Sequence, residues 1–159
     1  MEKSYYKSAI GILKIICENN KLVSLNLVSY CEKSNVETGF IKDIKSQLDE
    51  YFSRKRKIFD IKINPAGTDF QKLVWSKLQK IPYGETKSYS EIAAAAGNKN
   101  AQRAAGNAYN KNPKMIIIPC HRVISKNNNL GGYAYGNKIK QKLLNIEKCV
   151  EILQKVKNT

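Results

Sequence analysis

The sequence predicts a two-domain α/β protein. A small N-terminal antiparallel sheet with one helix precedes a mostly helical domain with a helix-turn-helix, winged-helix-like in outline. Three observations carry that class. Two β-rich runs, Ala9–Cys17 and Lys21–Ser29, flank Glu18-Asn19-Asn20, which is a hairpin signal. Asn64-Pro65-Ala66-Gly67 is the clearest linker and sets a boundary near residue 66, giving domains 1–66 and 67–159. Beyond it the apolar spacing turns helical and the connections are short. An apolar fraction of 42% over 159 residues is enough to build a core for each half.

In order along the chain, the hairpin comes first, and residues 31–39 are polar and read as a loop. Ile41, Ile44, Leu48 and Phe52 step by three and four, which marks an amphipathic helix. The basic run Arg54-Lys55-Arg56-Lys57 ends it, where cations suit the helix dipole. Phe59, Ile61 and Ile63 alternate as a strand does. After the linker, Thr68 or Asp69 caps a helix striped by Phe70, Leu73, Val74, Leu78 and Ile81. Pro82-Tyr83-Gly84 turns the chain. An Ala-rich helix runs from Ser88 to Ala96 and stops at Gly97. A tight link at 98–100 leads to a second short helix, Ala101 to Tyr109. Taken alone, that pair suits a helix-turn-helix and plain helix packing equally. A polar, Gly-containing loop fills 126–136. The last helix carries Ile139, Leu143, Ile146, Val150 and Leu153 on one stripe.

Charge narrows the partners. Lys and Arg number 28 against 13 acidic residues, a net +15, which favours a polyanion, with nucleic acid ahead of a membrane surface. Arginine occurs only at 54, 56, 103 and 122 in a chain that otherwise uses lysine, so each planar fork asks for a reason. The cysteines at 17, 31, 120 and 149 show no CxxC spacing, and with one histidine there is no plausible zinc set, so no metal and no cofactor is expected. Glu2 and Lys14 interrupt any signal-peptide run, and no stretch is long and apolar enough to span a membrane. The expected protein is cytoplasmic and monomeric, with reduced thiols.

The chemistry gathers at Ile116-Ile117-Ile118-Pro119-Cys120-His121-Arg122-Val123-Ile124. The isoleucine run reads as a buried strand, and Pro119 ends its pairing just before the thiol. A thiol acts as a nucleophile only as thiolate, and an adjacent imidazole and cation favour that form. Sequence neighbours point apart in a strand or a helix, so His121 cannot easily hydrogen-bond Cys120 without a sharp bend or a bridging water. That excludes a papain-like hydrolase, whose Cys and His are distant in sequence, and no second histidine exists to replace it. By itself, a Cys-His pair is more often a structural thiol beside a surface His.

Longer spacing is more specific. Phe70-x-x-x-Val74-Trp75, Ile81-Pro82-x-Gly84-x-Thr86-x-Ser88-Tyr89, Ala96-Gly97-Asn98, Arg103-Ala104-x-Gly106, Asn112-Pro113, Pro119-Cys120-His121-Arg122-Val123, Gly131-Gly132-Tyr133 and Lys140-x-x-Leu143-Leu144-x-x-Glu147 follow in order over about half the chain. In these motifs the chain resembles the O6-alkylguanine-DNA alkyltransferases, also called methylated-DNA–protein-cysteine methyltransferases. The N-terminal part is similar to that family's variable domain in pattern only.

The resemblance implies a single-turnover repair protein acting on double-stranded DNA. An alkyl group moves from guanine O6 to Cys120, with His121 as base through a water, Glu147 orienting His121 and Asn112 holding the turn that carries the thiol. It implies a helix-turn-helix in the minor groove and a flipped base, with Arg103 filling the vacated stack and Tyr89 donating to the base. Backbone at Cys120 and Val123 would accept from the guanine amino group. Tyr133 and Ala134 would cover the base, and Ser90, Asn98, Arg122 and Lys126 fall among the DNA-facing set. Tyr135 stands where some relatives carry a small residue, which implies a narrower pocket. The rival from another class is a regulator or lesion-binding module that binds without reacting; an intact Cys120 favours transfer.

Overall fold

The computed structural model describes residues 1–33, 35–97, 101–125, 127 and 129–147. Two compact units emerge, 1–66 together with 113–115, and 67–112 together with 116 onward. Among the described residues no helix is long and apolar enough to cross a membrane.

The first unit opens with strand β1 (Glu2–Ser8), followed by β2 (Gly11–Glu18) and β3 (Lys21–Val28), in a sheet of order β1-β2-β3 with both pairings antiparallel. The hairpin of the sequence reading is β2–β3, turned by Asn19 and Asn20 at φ 52° and 57°, a region asparagine tolerates better than most residues. The sequence reading did not foresee β1. Its Glu-Lys-Ser-Tyr-Tyr-Lys-Ser run is mostly polar, yet Ser4 and Tyr5 are buried. Helix α1 (Gly39–Phe52) starts at Thr38, whose hydroxyl accepts from Ile41 N at 3.3 Å. Leu13, Ile15, Leu22 and Leu25 of the sheet and Ile41, Ile44 and Leu48 of α1 are all fully buried.

The expected strand at Phe59, Ile61 and Ile63 does not form. Only Ile63 bridges to Leu22, and Gln47 instead ties the segment to α1 by bonds to Asp60 N at 2.9 Å and Asp60 O at 3.0 Å. Alternation survives in the sequence, but a side chain has taken the ladder's hydrogen bonds. One more piece completes the sheet: Leu25 N donates to Pro113 O at 2.8 Å and Met115 N to Leu25 O at 3.0 Å.

The second unit packs helix α2 (Asp69–Gln79), α3 (Tyr89–Ala95), α4 (Gln102–Asn110) and α5 (Asn137–Ile146) about a short parallel pair, β4 (Lys87–Ser88) and β5 (Val123–Ile124). Thr68 and Ser88 each close a reciprocal capping box, with Gln71 and Glu91. In α2 the stripe is Val74, Trp75 and Leu78; Leu73, expected on it, is 40% exposed, because the turn faces Trp75 inward instead. Trp75 Nε1 donates to Ala108 O at 2.9 Å, fixing α2 to α4. Helices α3 and α4 pack together, with Ala93, Ala105 and Ala108 buried between larger neighbours. The link at 98–100, and with it Asn98, lies outside the described residues, as do Lys126, Cys149, Val150 and Leu153.

Candidate active site

Three elements of the second unit converge on Cys120. The isoleucine run before it is not a strand, contrary to the sequence expectation. It is a turn in which Ile116 sits at φ 73°, a left-handed conformation that a β-branched residue adopts at a cost of about 1–3 kcal/mol. Burial of Met115, Ile116 and Ile118 holds it there. Asn112 braces the turn: its Nδ2 donates to Ile118 O at 2.7 Å and to Cys120 Sγ at 2.9 Å. Cys120, His121 and Arg122 then form one turn of 3₁₀ helix, and Val123 begins β5. Pro119 therefore launches a helical turn and not a strand end.

Cys120 is 7% exposed, and its Sγ approaches Tyr109 O at 3.6 Å. Burial pushes the thiol up to about 12; the Asn112 hydrogen bond and the Lys140 charge pull the other way but do not offset it. At rest the group is a thiol. Its neighbour His121 is fully buried and makes no hydrogen bond to it. His121 Nε2 lies 2.6 Å from Glu147 Oε2 at the end of α5. Against an ionised carboxylate, that assigns the proton to Nε2 and leaves Nδ1 with the lone pair, buried and without a protein partner among the described residues.

Glu147 is 2% exposed and binds both His121 and Arg122. Arg122 Nε donates to Oε1 at 2.7 Å and a terminal nitrogen to Oε2 at 3.2 Å. Burial alone would raise this carboxyl, but His121 and Arg122 more than offset it and hold Glu147 well below the usual carboxylate range. Arg122 is thus no DNA-facing residue, as the sequence reading had it. It is 6% exposed, and its other terminal nitrogen donates to Ile81 O at 2.7 Å.

A cleft of about 270 Å³ opens beside the thiol, lined by Tyr89, Arg103, Tyr109, Cys120, Tyr133 and Ala134 among others. Arg103 is exposed on α4 at this rim. Tyr89 Oη donates to Gly132 O at 3.0 Å. Ser90, next to it, shares its hydroxyl with Ser88 at 3.1 Å at the start of α3. Val123 O is not idle, because Lys140 Nζ donates to it at 2.6 Å.

Lys140 is the residue that sequence reasoning passed over. It is fully buried, and its ammonium also donates to Leu130 O and, at 3.1 Å, to Gly132 O, with Tyr89 Oη at 3.4 Å. Burial brings it down to about 8, while the nearby Cys120 supports the charge. The signal was available: Lys140, Leu143, Leu144 and Glu147 share one helix face, so a lysine on an apolar stripe needed acceptors. It clamps the loop that carries Tyr133 and Ala134. Gly131 shows how tight that loop is. Its φ is 70°, and an added Cβ would stand 2.7 Å from Tyr89 Oη. Gly131→Ala should lose about 1–3 kcal/mol in denaturant unfolding; wild-type stability in that variant would show that the loop yields.

Among the described residues no cluster of three His, Cys, Asp or Glu could hold a metal. The cleft is instead a thiol with a braced turn, a buried His–Glu–Arg cluster and an aromatic wall.

Comparison with known proteins agrees. Residues 69–149 match the 6-O-methylguanine DNA methyltransferase DNA binding domain, and residues 1–65 match the ribonuclease-like domain of the same family. A methylated-DNA–protein-cysteine methyltransferase of Methanosarcina acetivorans is 42% identical over 153 residues, covering 92% of this chain and 98% of that one. The constitutive enzyme of Bacillus subtilis is 51% identical over 114 residues, 70% of this chain and 68% of its own. The crystal structure of Mycobacterium tuberculosis OGT in complex with DNA superposes with a TM-score of 0.86 at 38% identity, covering 93% of both chains. The chain belongs to the 6-O-methylguanine DNA methyltransferase family.

Proposed function

We propose that Cys120 is the acceptor in a repair reaction that consumes the protein. The chain transfers an alkyl group from the O6 oxygen of guanine in DNA to one of its own cysteines. A carbon–sulfur bond forms at Cys120 as the carbon–oxygen bond breaks, and guanine leaves. The observation that carries this reading is a buried thiol, braced by Asn112, at the foot of a cleft wide enough for a base. His121 takes the thiol proton through a water, since the two side chains do not meet directly. Glu147 orients it, in the manner of a triad acid. Tyr89 supplies a hydrogen bond as negative charge develops on the base.

The resting thiol is a poor nucleophile, so deprotonation belongs to the loaded cleft. A base stacked in a duplex cannot reach Cys120 and must be flipped, at a few kcal/mol. Arg103, exposed at the rim, takes the vacated place in the stack. Helix α4 enters the minor groove, with Ser90, Asn98 and Lys126 on the phosphates, and Tyr133 and Ala134 close over the base. The carbonyls of Cys120 and Val123 accept from the guanine amino group; Val123 O keeps a second lone pair after Lys140. Residues 67–159 carry binding and transfer, and 1–66 form a separate domain. The protein works as a monomer in the cytoplasm, where its thiols stay reduced.

The test is stoichiometry. With excess duplex containing O6-methylguanine, one methyl group per chain should appear, on Cys120 and not on Cys17, Cys31 or Cys149 by mass spectrometry. A thioether is inert to thiol exchange, so no second turnover should follow. Cys120→Ala should bind the duplex and transfer nothing. Several turnovers per chain, or a methyl on another cysteine, would refute the mechanism; binding without any transfer would return the rival, non-reacting reading.

A further inference from the structure

Arg122 is a buried residue of the site that the reaction scheme leaves unused. It follows the base, His121, in sequence. We propose that Arg122 is a positioning residue of the transfer site: it neutralises and aims Glu147, so that His121 is held as an uncharged base. This rests on the transfer reading above.

The geometry gives Glu147 two partners at once. Arg122 takes Oε1 through Nε, and both Arg122 and His121 reach Oε2. The carboxylate can therefore neither rotate nor drift along the ring edge. Arg122 is itself fixed from the far side, by its bond to Ile81 O at 2.7 Å and by the Tyr83 ring, whose centroid lies 5.9 Å from the guanidinium carbon. Tyr83 in turn donates to Ile146 O at 3.1 Å, one residue before Glu147. The turn after α2 thus holds both the arginine and the end of α5.

Charge makes the second half of the case. A guanidinium keeps its proton throughout the working range, so Arg122 and Glu147 together are neutral in the core. Without the arginine, the imidazole 2.6 Å away is a partner that can take up a proton to compensate the buried carboxylate. His121 would then be protonated and useless as a base. Among the described residues, Glu147 also acts electrostatically on Tyr133, and Cys120 on both Tyr133 and Lys140.

His121 is the chain's single histidine, so its ring nitrogens give an unambiguous ¹⁵N NMR signal in the intact protein. Wild type should show the neutral form with the proton on Nε2. Arg122→Met should show imidazolium at the same pH. Its transfer from free O6-benzylguanine base should fall ~100-fold, and its pH profile should move alkaline by about one unit or more. Arg122→Lys, which keeps the charge without the fork, should keep the wild-type imidazole signal and pH profile and recover only part of the rate. If Arg122→Met does not fold, Arg122→Gln replaces it, keeping a short donor for Glu147 without the charge or the reach to Ile81 O. Affinity for undamaged duplex should not change in any of them. An unmoved imidazole signal and pH profile in the uncharged variant would overturn the proposal. So would weakened DNA binding with a normal rate on free base. Absence of transfer in wild type would remove the repair reading while leaving the imidazole result to stand or fall alone.

Discussion

Glu147→Ala should lower transfer to Cys120 by at least ~100-fold, the scale seen when the partner that orients a reacting group is removed. The same change should also loosen the fold. It leaves Arg122 and His121 buried without their shared carboxylate, and breaking one side of a buried ion pair costs about 3–5 kcal/mol. Glu147→Gln separates the two effects: it keeps the shape and one acceptor oxygen but turns the other oxygen into an NH2 donor and removes the charge, so stability should recover in part while activity does not. Acid tells the same story. A carboxyl held below its usual range stabilises the fold above its unfolded pKa, about 4.3, and that contribution is lost as pH falls toward the lower folded value. The glutamine variant should therefore lack the wild type's loss of stability below about pH 4.3 at this site. Normal transfer by Glu147→Ala, followed as label on Cys120, would make Glu147 a structural residue only.

Arg103→Ala should separate two substrates. On α4 the exposed arginine stands among Ala104, Ala105 and Gly106, none of which can replace it at the rim of the cleft. Transfer from duplex DNA should slow by ~100-fold, because the flipped state costs a few kcal/mol when nothing fills the gap. Transfer from free O6-alkylguanine should change by less than about twofold, since a free base pays no unstacking. Undamaged-duplex affinity should drop only by the share of one phosphate contact, seen as a salt slope shallower by about one unit at most. Equal loss on both substrates would place Arg103 in the chemistry and not in flipping.

Helical spacing, caps and punctuation were the legible part of this chain. Thr68, Ser88 and Gly97 act as their chemistry foretells, and Ile41, Ile44 and Leu48 face inward as their period requires. Strands were harder. β1 buries a serine and a tyrosine behind a polar pattern, and Ile61 and Ile63 alternate but the stretch pairs with β3 only at Leu22, while Gln47 takes the backbone of Asp60. Ile116–Ile118 had the composition of a strand, but Asn112 captures Ile118 O and bends it into a turn. At the site, motif spacing singled out the residues but not their partners. Nothing in Pro-Cys-His-Arg says that the arginine turns toward Glu147, or that Lys140 buries its ammonium among three carbonyls. The first depends on where α5 ends, 25 residues along the chain from Arg122, and the second on how α5 lies against the loop before it; periodicity measures neither.

The small sheet also has a history in time. β3 is one of its two outer strands, and the outer edge of that strand is covered by backbone from two later stretches, at Leu22 by residues 62–64 and at Leu25 by residues 113–115. A ribosome making this chain therefore releases all three strands long before the last cover exists. Until residue 115 has left the exit tunnel, the amide and carbonyl of Leu25 face water, on a strand whose Leu22, Val23, Leu25 and Leu27 invite pairing with another nascent chain. Sequence order and folding order part company here: the first sheet to be synthesised is finished by a tripeptide that lies within a few residues of the reactive thiol.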